Sequence, residues 1–129
     1  QGGSVGVLYN GAQLYSAYGG QQYGTATQYS NSAPFAEGDT FDECGCHGSS
    51  TTAASYHCHV PPHCLLNQLQ DNGSGHSPQV GWAVDGFPVY GPYTTGGILM
   101  QTCTAKGTSS SPASPCADDC GGYYGSITP

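Results

Sequence analysis

Positive charge is nearly missing from this chain. Among 129 residues, Lys106 is the only lysine or arginine, against eight carboxylates, and the formal charge is −7. So few cations cannot neutralise a phosphate backbone, which excludes nucleic acid as a partner. Cations, and uncharged surfaces such as carbohydrate, are the partners that this balance favours. Long apolar runs are also missing: nothing approaches the ~20 residues that span a bilayer, so no membrane insertion is expected. Leu, Ile, Val and Phe together number 17, too few for an ordinary aliphatic core. Such a shortage marks disordered chains unless something else supplies cohesion. An initiating Met is absent as well. The chain opens at Gln1 with no charged stretch leading into an apolar one, as expected of a secreted chain whose leader has been removed.

What is present supplies the cohesion. Ten Tyr and one Trp bury area through their rings, and seven Cys offer covalent staples. The length is that of one domain, 1–129. The cysteines, Cys44, Cys46, Cys58, Cys64, Cys103, Cys116 and Cys120, imply an oxidising, extracellular compartment. Their number is odd, so at most three internal disulfides form. The seventh thiol is free, bound to metal, or paired with another chain.

Along the chain, residues 1–30 carry no charge and are rich in Gly, Gln and Tyr. Val5–Tyr9 and Ala12–Tyr15 flank Asn10-Gly11, which predicts a two-residue hairpin turn, because both residues tolerate positive φ. Gly19–Gln22 reads as a loop and Tyr23–Tyr29 as another short strand. A terminal strand segment without charge or Pro lacks the usual guards of an exposed edge. It is a candidate for self-association, by completing a neighbour's sheet. Pro61-Pro62 ends any strand there, and Val80, Trp82 and Val84 alternate as in a strand with one buried face. Thr108–Pro115 reads as an exposed loop, with Ser109–Pro115 a candidate for O-linked sugar. Asn72-Gly73-Ser74 is the one N-glycosylation acceptor. Asp42-Glu43-Cys44-Gly45-Cys46-His47 is echoed by Asp118-Asp119-Cys120-Gly121-Gly122-Tyr123, without the histidine. No sustained helical period is visible, so the domain is expected to be mainly β.

Four of the five histidines, His47, His57, His59 and His63, lie within seventeen residues. His57 and His59 are two apart, so on a strand they share a face, with Tyr56 and Cys58 on the other. With His47 they make a nitrogen-rich set that suits Zn²⁺ or Cu²⁺ better than Ca²⁺, and Asp42 or Glu43 could complete the shell. The competing reading makes the histidines buried hydrogen-bonding residues, and for His63, between Pro62 and Cys64, that reading is preferred. Glu37, Asp39, Asp42 and Glu43 are the candidates for a Ca²⁺ site, although four acids this close more often form a solvated loop. A zinc–thiolate site through Cys44, Cys46 and Cys58 ranks lower, since cysteines outside the cell are usually oxidised.

Tyr56-His57-Cys58-His59 resembles the signature of YHYH-domain proteins, with Cys58 in place of the second Tyr. Further segments fall in the family's order: Asn10-Gly11, Phe41–His47, Pro61–Leu65, His76-Ser77-Pro78, Gly81–Tyr93, and a later likeness over Cys116–Gly122. The resemblance implies an extracellular or cell-surface domain suspected of binding metal, and supplies no reaction. The polar positions it carries over are His47, His57, His59, His76 and Asp85. Gly usually stands where this chain has Cys46, and Tyr where it has Cys58. That paired departure implies one added disulfide, Cys46–Cys58.

Three functions compete: a secreted metal-binding module, a structural protomer of an extracellular assembly, and a metalloenzyme using the His47/His57/His59 site. The enzyme is the weakest, because no HExxH, Gly-x-Ser-x-Gly or Cys/His pair at a known spacing occurs. Asp85 is better read as capping the turn before Pro88 than as a general base. The first two readings are compatible.

Overall fold

The computed structural model describes residues 3–18, 32–48, 55–102, 116–118 and 121–123. Strand β1 (Ser4–Leu8) turns back into β2 (Gln13–Tyr15), through a longer turn than Asn10-Gly11 predicts. Leu8 N–H donates to the Ala12 carbonyl and Gly11 N–H to the Leu8 carbonyl, each at 2.9 Å. Gly11 alone in the loop has positive φ, 85°. Tyr9-Asn10-Gly11 is therefore a three-residue loop, a type I turn closed by a left-handed glycine. Asn10 Oδ1 strengthens it by accepting from Ala12 N–H at 3.1 Å.

The sequence echo is the same turn built twice more. At Asp42–Cys46, Asp42 N–H donates to the Cys46 carbonyl (2.8 Å), Gly45 N–H to the Asp42 carbonyl (3.0 Å), and Cys46 N–H to Asp42 Oδ1 (3.0 Å). Asp118, Gly121 and Gly122 repeat all three bonds, at 2.9, 3.0 and 2.7 Å.

Six strands form one sheet in the order β3-β4-β2-β1-β5-β6, with β3 (Cys46–His47), β4 (His57–Cys58), β5 (Gln79–Ala83) and β6 (Pro88–Tyr90). β2 and β4 run parallel and the other neighbours antiparallel. β7 (Tyr93–Thr94) pairs with β8 (Ile98–Leu99), and β9 (Gln101–Thr102) with β10 (Cys116–Ala117). The fold is mainly β, as expected. β1 sits between β2 and β5, so both its edges are taken within the chain.

Two short helices appear that periodicity could not show, because neither is two full turns long: α1 (Ala33–Glu37) and α2 (His63–Gln68). Ser32 caps α1, its Oγ accepting from Phe35 N–H at 3.3 Å, with Pro34 in the first turn. α2 starts directly after Pro61-Pro62: the prolines that stop a strand also preset φ for a helix start. His63, the first residue of α2, is exposed rather than buried. Leu65 and Leu66 on α2 cluster with Leu8 and Val80 from the sheet and with Ala12 from the end of the β1–β2 turn, and Cys46 and Cys58 complete this core. Two disulfides, Cys44–Cys64 and Cys46–Cys58, staple it. By closing loops of twenty and twelve residues, each contributes about 3 kcal/mol in the chain-entropy account. Sulfur and closed loops thus supply what 17 aliphatics and phenylalanines cannot.

The alternation over Val80, Trp82 and Val84 does not survive. A register shift between Gln79 and Gly81 lets Val80 and Gly81 both face inward. Trp82 then faces out, beside Val7, at 47 % exposure, and Val84 is exposed in the following turn. The expected strand Tyr23–Tyr29, the loops Gly19–Gln22 and Thr108–Pro115, and Cys103 and Cys120 lie outside the described residues. No described helix is long and apolar enough to cross a membrane.

Candidate metal centre

β3 and β4 place the histidines. His47 lies directly across from His57, and Cys46 directly across from Cys58. Side chains alternate along a strand, so the sulfur pair enters the core and the imidazole pair faces the other way. His59, two residues on, returns to the imidazole face. The three Nε2 atoms converge: His57 Nε2 is 3.0 Å from that of His47 and 3.0 Å from that of His59. Glu37, the last residue of α1, brings Oε2 to 3.3 Å from His47 Nε2 and 3.7 Å from His59 Nε2. All four ligand atoms lie within 4.8 Å of one another. Tyr15 stacks on His57 with ring centres 3.9 Å apart, and the Phe41 ring meets His47 edge-on at 4.9 Å. His57 and His59 are buried; Glu37 is the most exposed of the four, with 26 % of its side chain accessible.

The outer nitrogens fix the tautomers. His57 Nδ1 is 2.7 Å from the Ser55 carbonyl and His59 Nδ1 is 2.6 Å from the Ser16 carbonyl. A carbonyl only accepts, so both Nδ1 atoms carry the proton. Thr40 Oγ1 spends its one hydrogen on the Glu37 carbonyl at 2.7 Å. Its 2.6 Å contact with His47 must therefore be a donation from Nδ1–H. In the neutral rings every Nε2 is bare. Three bare imidazole lone pairs face one small space beside the Glu37 carboxylate, and a cation is what such a set of nitrogens stabilises. Bonds of ~2.0–2.1 Å to a tetrahedral zinc would set ligand separations of about 3.3 Å, within the span from 3.0 Å up to 4.8 Å found here. Burial, and then the neighbouring His57, hold the His47 imidazole below its ordinary 6.5, with Glu37 pulling the other way. The neutral, ligating form is favoured.

Asp42 does not join this cluster. Its Oδ1 is occupied by Cys44 and Cys46 N–H, at 2.9 and 3.0 Å, and its Oδ2 accepts from Tyr56 O–H. The tyrosine, then these backbone donors, hold its carboxyl below the usual 3.8, while the same pair pushes the Tyr56 phenol up to about 12. Asp42→Asn should return the Tyr56 phenol toward 10.0 in an ultraviolet pH titration; a Tyr56 value that ignores the change would exclude the pairing.

His76 and Asp85 are also elsewhere. His76 Nδ1 contacts the Ser77 carbonyl at 2.7 Å and its ring meets Tyr90 edge-on. Asp85 Oδ1 accepts from Phe87 N–H at 3.3 Å, capping the β5–β6 turn. The acidic quartet does not gather: Asp39 and Glu43 are exposed, Asp42 is engaged in its turn, and Glu37 faces the histidines. Among the described residues, Glu37, His47, His57 and His59 are the one group of metal-ligating residues brought together. Cys44, Cys46, Cys58, Cys64 and Cys116 are disulfide-bonded, which removes the zinc–thiolate alternative for them. Glu37 as partner of the histidines is what sequence reasoning missed, although Ser32-Ala33-Pro34 is a helix-start signal that could have placed it.

Comparison with curated proteins and with solved structures gives no match. A family model described as YHYH protein matches residues 1–126, a span that contains all four residues of the cluster. The motif that supplies two of its imidazoles, Tyr56-His57-Cys58-His59, is the one this family is named for, and the chain belongs to the YHYH protein family.

Proposed function

We propose that this chain is a secreted, non-enzymatic metal-binding module with a structural role outside the cell. It holds one divalent ion through Nε2 of His47, His57 and His59 and the carboxylate of Glu37. The observation that carries the reading is the tautomer set: three Nδ1–H groups are engaged outward, leaving three bare Nε2 atoms facing inward. Outward Nδ1–H bonds to carbonyls and hydroxyls are the usual support of metal-bound imidazoles. Nitrogen ligands favour Zn²⁺ or Cu²⁺, whereas Ca²⁺ wants six or more oxygens, and only one carboxylate is present here. Oxidised cysteines support the extracellular placement. Asn72, exposed beside Ser74, is accessible to a glycan in a eukaryotic source.

Protein purified without chelator should carry one zinc or copper ion per chain by elemental analysis. Metal-free protein that takes up neither ion sinks the reading. A metalloenzyme is the second reading, favoured by the partial exposure of Glu37 and its longer reach to the nitrogens. Three histidines with a water in the fourth position is a catalytic arrangement. X-ray absorption of the zinc form separates the two, since a carboxylate ligand closes the site and an exchangeable water opens it.

A further inference from the structure

Cys46–Cys58 and His47–His57 are neighbouring pairs on the same two strands. β4 is an interior strand, held by β3 on one edge and β2 on the other. β3 is two residues long and, among the described residues, lies at the sheet edge with β4 as its one strand neighbour. His57 and His59 are thus placed by the body of the sheet, while His47 stands on the strand with least support. Beside the backbone pairing, a covalent tie joins β3 to β4: the disulfide one residue before His47, its two cysteines 1 % and 0 % exposed.

We propose that the Cys46–Cys58 bond is a redox-controlled positioning element for the metal centre. Closed, it holds His47 Nε2 against those of His57 and His59. Opened, it frees β3 and lowers metal affinity. This rests on the metal-binding reading above. The opening step is thiol–disulfide exchange with a dithiol, which reaches the buried sulfurs when the two-residue β3 opens locally from the sheet. Two electrons and two protons pass from the reductant to Cys46 and Cys58, giving two thiols, and the reductant closes to its own disulfide while the metal keeps its oxidation state. The released thiols point to the core face, away from the ion. Linkage makes the effect reciprocal: if the closed bond favours metal, metal must favour the closed bond by the same factor.

The test is a zinc titration against a chromophoric chelator, with three proteins: wild type, Cys46→Ala/Cys58→Ala, and Cys44→Ala/Cys64→Ala. Removing the support of a ligand costs up to about a hundredfold in affinity. That loss is expected for the first variant, and less than about tenfold for the second. In the wild type, the Cys46–Cys58 potential, followed by alkylation and peptide mass in dithiol buffers, should fall by about 59 mV when zinc saturates the site, the same hundredfold at 29.6 mV per decade. A folded Cys46/Cys58 variant with wild-type zinc affinity overturns the proposal. So does a potential indifferent to zinc, which decides the matter if that variant does not fold. Wild-type protein that takes up no zinc overturns the proposal together with the metal reading, so the two failures are distinguishable.

Discussion

Zinc added to the metal-free protein should raise its thermal midpoint by about 10 °C, and His57→Ala should abolish the rise. A ligand held only by the native state stabilises it by RT ln(1 + [L]/Kd), about 2.7 kcal/mol at a hundredfold excess over Kd. For a domain of this size each kcal/mol moves the midpoint by about 4 °C. His57 is the variant of choice because its Nε2 contacts both other nitrogens at 3.0 Å. Its removal also strips Tyr15 of its stacking partner, so the metal-free variant will be less stable; the zinc-dependent increment is the quantity to compare. His76→Ala and Asp85→Ala are the controls, since neither residue reaches the cluster. Both should keep the full increment. An increment kept in His57→Ala would overturn the proposed ligand set, and one lost in His76→Ala or Asp85→Ala as well as in His57→Ala would extend it to the residues the family pattern implies.

What was legible in the sequence is what depends on strand periodicity. His57 and His59 share a face because they are two apart, and Cys58 between them must then enter the core. The pairing of Cys46 with Cys58 puts His47 across from His57, so the trio follows from one disulfide and one alternation rule. What was not legible depends on where short, non-periodic pieces lie. Glu37 reaches the imidazoles from a five-residue helix whose direction no pattern reports. Asp42 is nearer to His47 in sequence, yet three donors, two backbone N–H groups and the Tyr56 hydroxyl, claim its carboxylate first. Sequence distance misled there because a turn aspartate satisfies its own backbone before it serves a site. Trp82 misled for another reason: a one-residue slip in a strand sends every later side chain to the opposite face.

Acid should empty the site in a single steep step that begins below pH 6.5. Each Nε2 must be bare to bind, so protons and metal compete for the same lone pairs, and releasing the ion takes up more than one proton. Burial and the neighbouring His57 hold the His47 imidazole low, while in the unfolded chain it titrates near its ordinary ~6.5. The unfolded state therefore binds the proton first as pH falls. The stability that neutral His47 contributes is complete above 6.5, and is lost as pH drops from there through the lowered folded value. Asp42 acts with the same sign at lower pH: its carboxyl is held below 3.8, so its contribution survives the first step and disappears only beneath that value. Two separate acid transitions are expected, metal loss first and the Asp42 turn second. Thr40→Val removes the hydroxyl that holds His47 Nδ1–H, and it should move the first transition to higher pH while leaving the second in place. The measurement is bound zinc against pH by equilibrium dialysis, with the thermal midpoint followed in parallel. Zinc retained until carboxylates titrate near pH 4, with Thr40→Val unchanged, would mean that oxygen rather than imidazole nitrogen holds the ion.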